Sequence, residues 1–157
     1  MRTKKLLTII VLVMLISVAY GTYNISLSDF RLSDQNSSYL GGITWSRNLT
    51  TSFEIAQQEN KPIAIYFWAI WCQYCAKFQS DTLGNPEVKK VLENDYVLVA
   101  MDLDIDRDVA RKYGVSYPPY VLFLDESGNV VERIAGAVDA DYFLPIATRV
   151  RDQVRSE

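Results

Sequence analysis

Along the chain, apolar positions switch between continuous runs and a helical period, and each switch marks an element boundary. Leu6 to Tyr20 (LLTIIVLVMLISVAY) is apolar with only Thr8 and Ser17 as interruptions, and Asn24 to Gly42 is polar and ends in a glycine pair. Ile43-Thr44-Trp45 reads as a short strand, and Thr51-Ser52-Phe53-Glu54 has the form of a capping box opening a helix to about Glu59. Lys61-Pro62 ends that helix. Ile63 to Trp68 (IAIYFW) is apolar on both faces, the pattern of a central strand covered by helices. A helix-like stretch from Cys72 carries Ala76 and Phe78 and is expected to fade at Asp81 to Gly84. Asn85-Pro86 opens a further helix with Val88, Val91 and Leu92 inward. Tyr96 to Met101 is the next strand, and Arg107 to Tyr113 is a short helix ended by Gly114. Tyr120 to Leu124 and Val130 to Ile134 form two strands around a hairpin turn, Asp125-Glu126-Ser127-Gly128. The last helix starts near Asp139 or Asp141, with Phe143, Ile146, Ala147, Val150 and Val154 on one face and Pro145 tolerated because it lies close to the start.

Strands alternating with helices predict an α/β domain. With 157 residues, 49% hydrophobic and 22% charged, the chain has room for one such domain plus an extension. Basic residues open the chain, at Arg2, Lys4 and Lys5. Followed by the apolar run, they read as a membrane-directed segment with its basic end cytoplasmic, which places the rest outside the cytoplasm. Two fates of this segment stay open. The run is short for a full span and Ala19 and Gly21 suit a signal peptidase, whereas Thr22, Tyr23 and Ile25 extend it toward an uncleaved anchor. The expected organisation is therefore residues 1–23 as signal peptide or transmembrane anchor, 24–42 as polar linker and 43–157 as the folded domain. Without the three leading cations, 13 basic residues face 19 acidic ones, a net charge of −6, which disfavours nucleic acid as a partner. Sequons at Asn24, Asn36 and Asn48 fit an extracytoplasmic chain, although polar stretches produce such triplets by chance.

The candidate chemistry is concentrated in Trp71-Cys72-Gln73-Tyr74-Cys75, which holds the only two cysteines of the chain. A helix beginning at Cys72 would aim its free N–H groups and positive dipole end at that sulfur, favouring thiolate over thiol. Cys72 is thus the expected nucleophile. Cys75, one turn on, is placed to resolve a mixed disulfide. A purely structural disulfide closing so short a loop adds little by chain entropy. A zinc site needs two further ligands, and the chain has no third cysteine and no histidine. Asp102, Asp104, Asp106 and Asp108 share the spacing of the first ligands of a calcium loop, but Arg107 and Tyr113 stand where that loop needs glycine and glutamate. They read instead as a solvated loop leading into the helix from Arg107, and no metal is expected.

Tyr117-Pro118-Pro119-Tyr120 enters a strand through two prolines, and Pro119 is the candidate for a cis bond. Together with Phe67-Trp68-Ala69, the Trp71 to Cys75 segment and Tyr113-Gly114-Val115, this motif makes the chain resemble the thioredoxin family from about Ile43 to Arg155. The interrupted helix with Phe78 and Asn85-Pro86-Glu87-Val88 is more similar to the branch containing the periplasmic thioredoxin-like domain of the bacterial transmembrane disulfide reductase. The resemblance implies a thioredoxin fold, a central mixed sheet of four or five strands flanked by helices, with Pro119 in cis packed against the two sulfurs. It also implies that the proline loop pairs its backbone with an extended substrate segment.

Departures from the family pattern carry their own expectations. Pro118, just before the cis-proline, has no N–H to donate, so docking keeps only a carbonyl there. The buried acid and lysine that the family often places under the sulfurs match Tyr66 and Ala100 here, so deprotonation of Cys75 must use water or another residue. Gln73 and Tyr74 bring no charge between the cysteines. Trp71 is expected to shield the site and offer an apolar contact, a role shared in this reading by Pro118 and Pro119. The resulting expectation is an extracytoplasmic protein thiol–disulfide oxidoreductase, tethered or secreted. It would use Cys72 and Cys75 without a cofactor and exchange with protein thiols or disulfides and an electron-transfer partner. The alternatives are a Cu(I) metallochaperone using the two thiolates, or an inactive adaptor holding a partner in the Pro118-Pro119 groove.

Overall fold

The strand Ile63–Trp68 sits at the middle of a mixed sheet because every one of its side chains finds an apolar neighbour. In the computed structural model, residues 13–14 and 37–156 are described. The elements run β1 (Ser37–Leu40), β2 (Ile43–Ser46), α1 (Leu49–Glu59), β3 (Ile63–Trp68), α2 (Gln73–Phe78), a π-helical segment (Gln79–Leu83), α3 (Pro86–Asp95), β4 (Val97–Asp102), α4 (Arg107–Tyr113), β5 (Tyr120–Leu124), β6 (Val130–Ala135) and α5 (Ala140–Arg155). The strand order is β1-β2-β4-β3-β5-β6. β3 pairs parallel with β4 on one side and antiparallel with β5 on the other.

Strand periodicity divides the core into two layers. Ala64 and Tyr66 of β3, Leu98 and Ala100 of β4, and Val121 and Phe123 of β5 face one side, where they meet Phe78, Leu83, Val88, Leu92, Phe143, Ala147 and Val150. Ile63, Ile65 and Phe67, with Val97, Val99, Met101, Leu122 and Leu124, face the other, against Ala56, Ala110, Tyr113 and Val115. Aromatic rings bind the first layer together: Trp45, Tyr66, Phe78, Phe143, Phe123 and Tyr96 form a chain with successive centroids 5.4–5.7 Å apart. This is a thioredoxin fold with helices on both faces of a mixed sheet.

Several boundaries differ from the sequence expectation. The sheet has six strands among the described residues rather than four or five, because Ser37–Leu40, expected to lie in the polar linker, pairs antiparallel with β2 across the turn at Gly41 and Gly42. As an edge strand β1 needs little apolar content. The capping box at Thr51 is not formed. Helix α1 starts three residues earlier, capped by Asn48 in place of Thr51, with the Asn48 Oδ1 accepting the Thr51 N–H at 3.1 Å. The helix after Cys72 gives way at Phe78 to the π segment, which ends at Leu83 before Gly84, within the Asp81 to Gly84 stretch where it was expected to fade. Asp139 precedes α5 without a side-chain cap, and Pro145 lies inside that helix. The membrane-directed segment lies outside the described residues except for Val13 and Met14, which are helical. Among the described residues no helix is long and apolar enough to cross a membrane.

Candidate functional site

Both halves of the site leave the same end of the sheet, because β3 ends where its antiparallel neighbour β5 begins. Phe67 is opposite Tyr120 in that ladder, so the loop after Trp68 and the Pro118-Pro119 turn before Tyr120 are neighbours by register. β4 ends beside them: Trp68 pairs with Asp102, and the Leu103 N–H donates to the Trp68 carbonyl at 2.9 Å. The carboxyl ends of the two parallel strands thus bring three loops together.

Cys72 is the N-cap of α2, in extended conformation, and Cys75 lies in the first turn. The two form a disulfide with Cα atoms 5.2 Å apart. The Cys75 N–H points at the Cys72 Sγ, donating at 3.0 Å, and the Cys72 carbonyl accepts from the Cys75 and Ala76 N–H groups. One backbone amide of the first helical turn is therefore aimed at the first sulfur, where a negative charge would form. Exposure divides the pair. Cys72 is 8% exposed and Cys75 1%, so the first cysteine is the more accessible of the two. The cysteines and Ala69 form a small apolar cluster against Trp68.

Around the disulfide the expected residues separate into two surfaces. Tyr74, between the cysteines, shares a groove of about 320 Å³ with Tyr117, Pro119, Gly136 and Ala137. The Pro118-Pro119 bond is cis, and the Pro119 carbonyl accepts from the Gly136 N–H at 2.9 Å, fixing the floor of that groove. Pro118 is half-buried and Gln73 exposed. Trp71 faces the other way. Its indole, 62% exposed, donates Nε1–H to Asp104 Oδ2 at 2.8 Å and forms one wall of a second cleft with Leu103, Arg107, Ala110, Arg111, Val115 and Ser116.

The alternating aspartates are occupied by the fold. Asp102 Oδ1 accepts from the Asp104 N–H, Asp106 Oδ2 accepts from the Asp102 N–H, and Asp108 pairs with Arg111. Asp104 is a site residue that the sequence reading left in a solvated loop. The signal was present only as a β4 carboxyl end beside a tryptophan loop. Gln79 is a second omission. Its Nε2 donates to the Tyr66 hydroxyl at 3.2 Å, and it lines a recess of about 130 Å³ with Trp68, Ala69, Ile70, Cys72, Cys75 and Ala76. Tyr66 and Ala100 are direct partners in the β3–β4 ladder and both are buried, so the positions read as lacking an acid and a lysine do sit side by side. Burial pushes the Tyr66 phenol up to about 12, opposed only in part by the Gln79 hydrogen bond.

The match to a thioredoxin-like domain family extends over residues 49–151, covering both the cysteine loop and the proline turn. The chain belongs to the thioredoxin-like domain family. A thiol:disulfide interchange protein DsbD of Cronobacter sakazakii is 31% identical over 106 residues, covering 64% of this chain and 18% of that protein. The chain thus spans under a fifth of the length of such relatives. A thioredoxin from Thermus thermophilus has a similar structure at 26% identity and a TM-score of 0.61, covering 66% of this chain and 84% of that one. The reduced DsbD C-terminal domain of Neisseria meningitidis, also 26% identical, aligns with a TM-score of 0.56 over 64% of this chain and 92% of the domain.

Proposed function

We propose that this chain is a protein thiol–disulfide oxidoreductase in which Cys72 attacks and Cys75 resolves. The observation that carries the reading is the pairing of a backbone N–H aimed at the Cys72 sulfur with the near-complete burial of Cys75. In the reducing direction the Cys72 thiolate attacks one sulfur of a substrate disulfide, and the other substrate sulfur leaves as a thiolate. Cys75 then loses its proton and attacks the Cys72 sulfur. The Cys72–Cys75 disulfide forms, the second substrate thiolate leaves, and two electrons have passed to the substrate. The oxidising direction runs the same steps backward. No bound cofactor enters either direction, and the electron-transfer partner is another dithiol or disulfide protein.

Substrate is held in the groove of Tyr74, Tyr117 and Pro119, with Trp71 on the opposite flank. At Pro118 an incoming strand finds a carbonyl acceptor and no donor, which relaxes the demand on substrate backbone. A complex in which another group of this chain donates at that point would refute this. The relatives named as interchange proteins, together with the basic and apolar start of the chain, support an extracytoplasmic location, reached through residues 1–23 as signal or anchor with a polar spacer beyond.

Insulin reduction by dithiol tests the activity. Cys72→Ser should abolish it, and Cys75→Ser should abolish turnover while trapping a mixed disulfide on Cys72. Unchanged turnover in Cys72→Ser would sink the assignment. The reduction potential of the pair then gives the direction of flow.

A further inference from the structure

We propose that Gln79 is a positioning residue for the resolving step: its side-chain amide, anchored on the Tyr66 hydroxyl, holds a water in the recess beside Cys75, and that water takes the Cys75 proton. The inference rests on the exchange reading above and deepens it.

Cys75 must lose a proton before it can attack, yet it is 1% exposed and no carboxylate lines the recess it shares with Gln79. Of the recess side chains other than the sulfurs, Trp68 carries only an N–H donor, so Gln79 supplies the acceptor. Its Nε2 is committed to Tyr66, which leaves Oε1 to hold water. The volume of about 130 Å³ is ample, since a water takes roughly 30 Å³ of liquid. Helical spacing sets the placement: Gln79 is four residues beyond Cys75 and therefore on the same face.

The backbone under Gln79 is built in. Its N–H donates to the Cys75 and Ala76 carbonyls at the point where the α-helix widens into the π segment, a feature frequent at functional sites. Gly41 backs it from the β1–β2 turn, where a Cβ would lie 3.0 Å from the Gln79 carbonyl oxygen and 2.5 Å from Leu83 Cβ. Tyr66 is an anchor and not the base, because burial keeps its phenol protonated at working pH. The other titratable groups nearby lie elsewhere: Tyr74 and Tyr117 line the proline groove, Lys77 and Asp81 pair with each other in solvent, and Asp104 is held by Trp71. With its proton passed to the water and on through the recess, the Cys75 thiolate attacks the Cys72 sulfur. The substrate sulfur departs as a thiolate and is protonated by solvent.

Stopped-flow oxidation of the reduced full chain by a chromogenic aromatic disulfide separates the steps. One coloured thiolate is released when Cys72 attacks and a second when Cys75 resolves. Relative to the first phase, Gln79→Ala should slow the second by about tenfold or more near neutral pH, with recovery as pH rises and hydroxide replaces the held water. Gln79→Glu, which puts a base at the same place, should restore the second phase and add a step at lower pH. Tyr66→Phe, which removes only the anchor, should give a smaller loss. A ratio of phases within roughly twofold of the unaltered chain in Gln79→Ala and Tyr66→Phe at every pH would overturn the inference alone. Should Gln79→Ala not fold, Gln79→Glu and Tyr66→Phe decide it: an unmoved pH profile in both overturns it. Absence of the first phase in the unaltered chain would overturn the exchange reading and this inference together.

Discussion

Replacing Tyr66 by phenylalanine removes one oxygen from the middle of the aromatic layer, and its effect on stability should reverse sign with pH. Near pH 8 the variant loses the hydrogen bond from Gln79, worth about 1 kcal/mol, and is the less stable protein. The alkaline limb behaves differently. The native phenol titrates at about 12 against 10.0 in the unfolded chain, so between these values the folded protein binds more protons than the unfolded one. Stability tied to the neutral phenol is therefore complete below the unfolded value and drains away as pH rises through the folded one. The loss comes to about 1.4 kcal/mol at pH 11 and about 2.3 kcal/mol at pH 12, and the phenylalanine variant escapes it. The two stability curves should cross near pH 11. Urea midpoints of the oxidised proteins from pH 8 to 12 measure this directly, because every other side chain is common to both. A difference between parent and variant that stays constant across the range would show that the hydroxyl is not desolvated as described.

Two further outcomes follow from neighbouring features. Asn48→Ala should cost about 1 kcal/mol in urea unfolding through loss of the α1 cap, whereas Thr51→Ala should be within about 0.5 kcal/mol of neutral; the reverse order would restore the capping box. Asp104→Ala frees the Trp71 indole and should raise the KM for a protein disulfide by about two- to fivefold, from an exposed hydrogen bond of roughly 0.5–1 kcal/mol. Its kcat should stay near that of the parent, and an unaltered KM would show that the indole needs no tether.

Continuous apolar runs announced β3, β4 and β5 because strands covered on both faces have no polar side to confuse the pattern. The start of α3 and the end of α4 were legible through Asn85-Pro86 and Gly114, residues whose backbone preferences leave few alternatives. β1 was not, since Ser37 and Ser38 in an edge strand look like linker. The cap of α1 was misplaced because Thr51 to Glu54 satisfies the box rule locally, while Asn48, earlier in the chain, captures the Thr51 N–H first. The cysteines could be found from spacing alone. Gln79 and Asp104 could not, because their roles depend on what β3 and β4 bring beneath them: a π turn facing Tyr66, and a strand end facing an indole.

The rung joining Phe67 to Tyr120 has a consequence for how the site is held together. The sulfur loop and the proline turn are each anchored at the first residues outside one hydrogen-bonded ladder, so their separation is inherited from the sheet. That spacing is set by main-chain pairing in which the Cys72–Cys75 bond takes no part. The two halves of the site are therefore registered to each other by the main chain and not by the sulfurs.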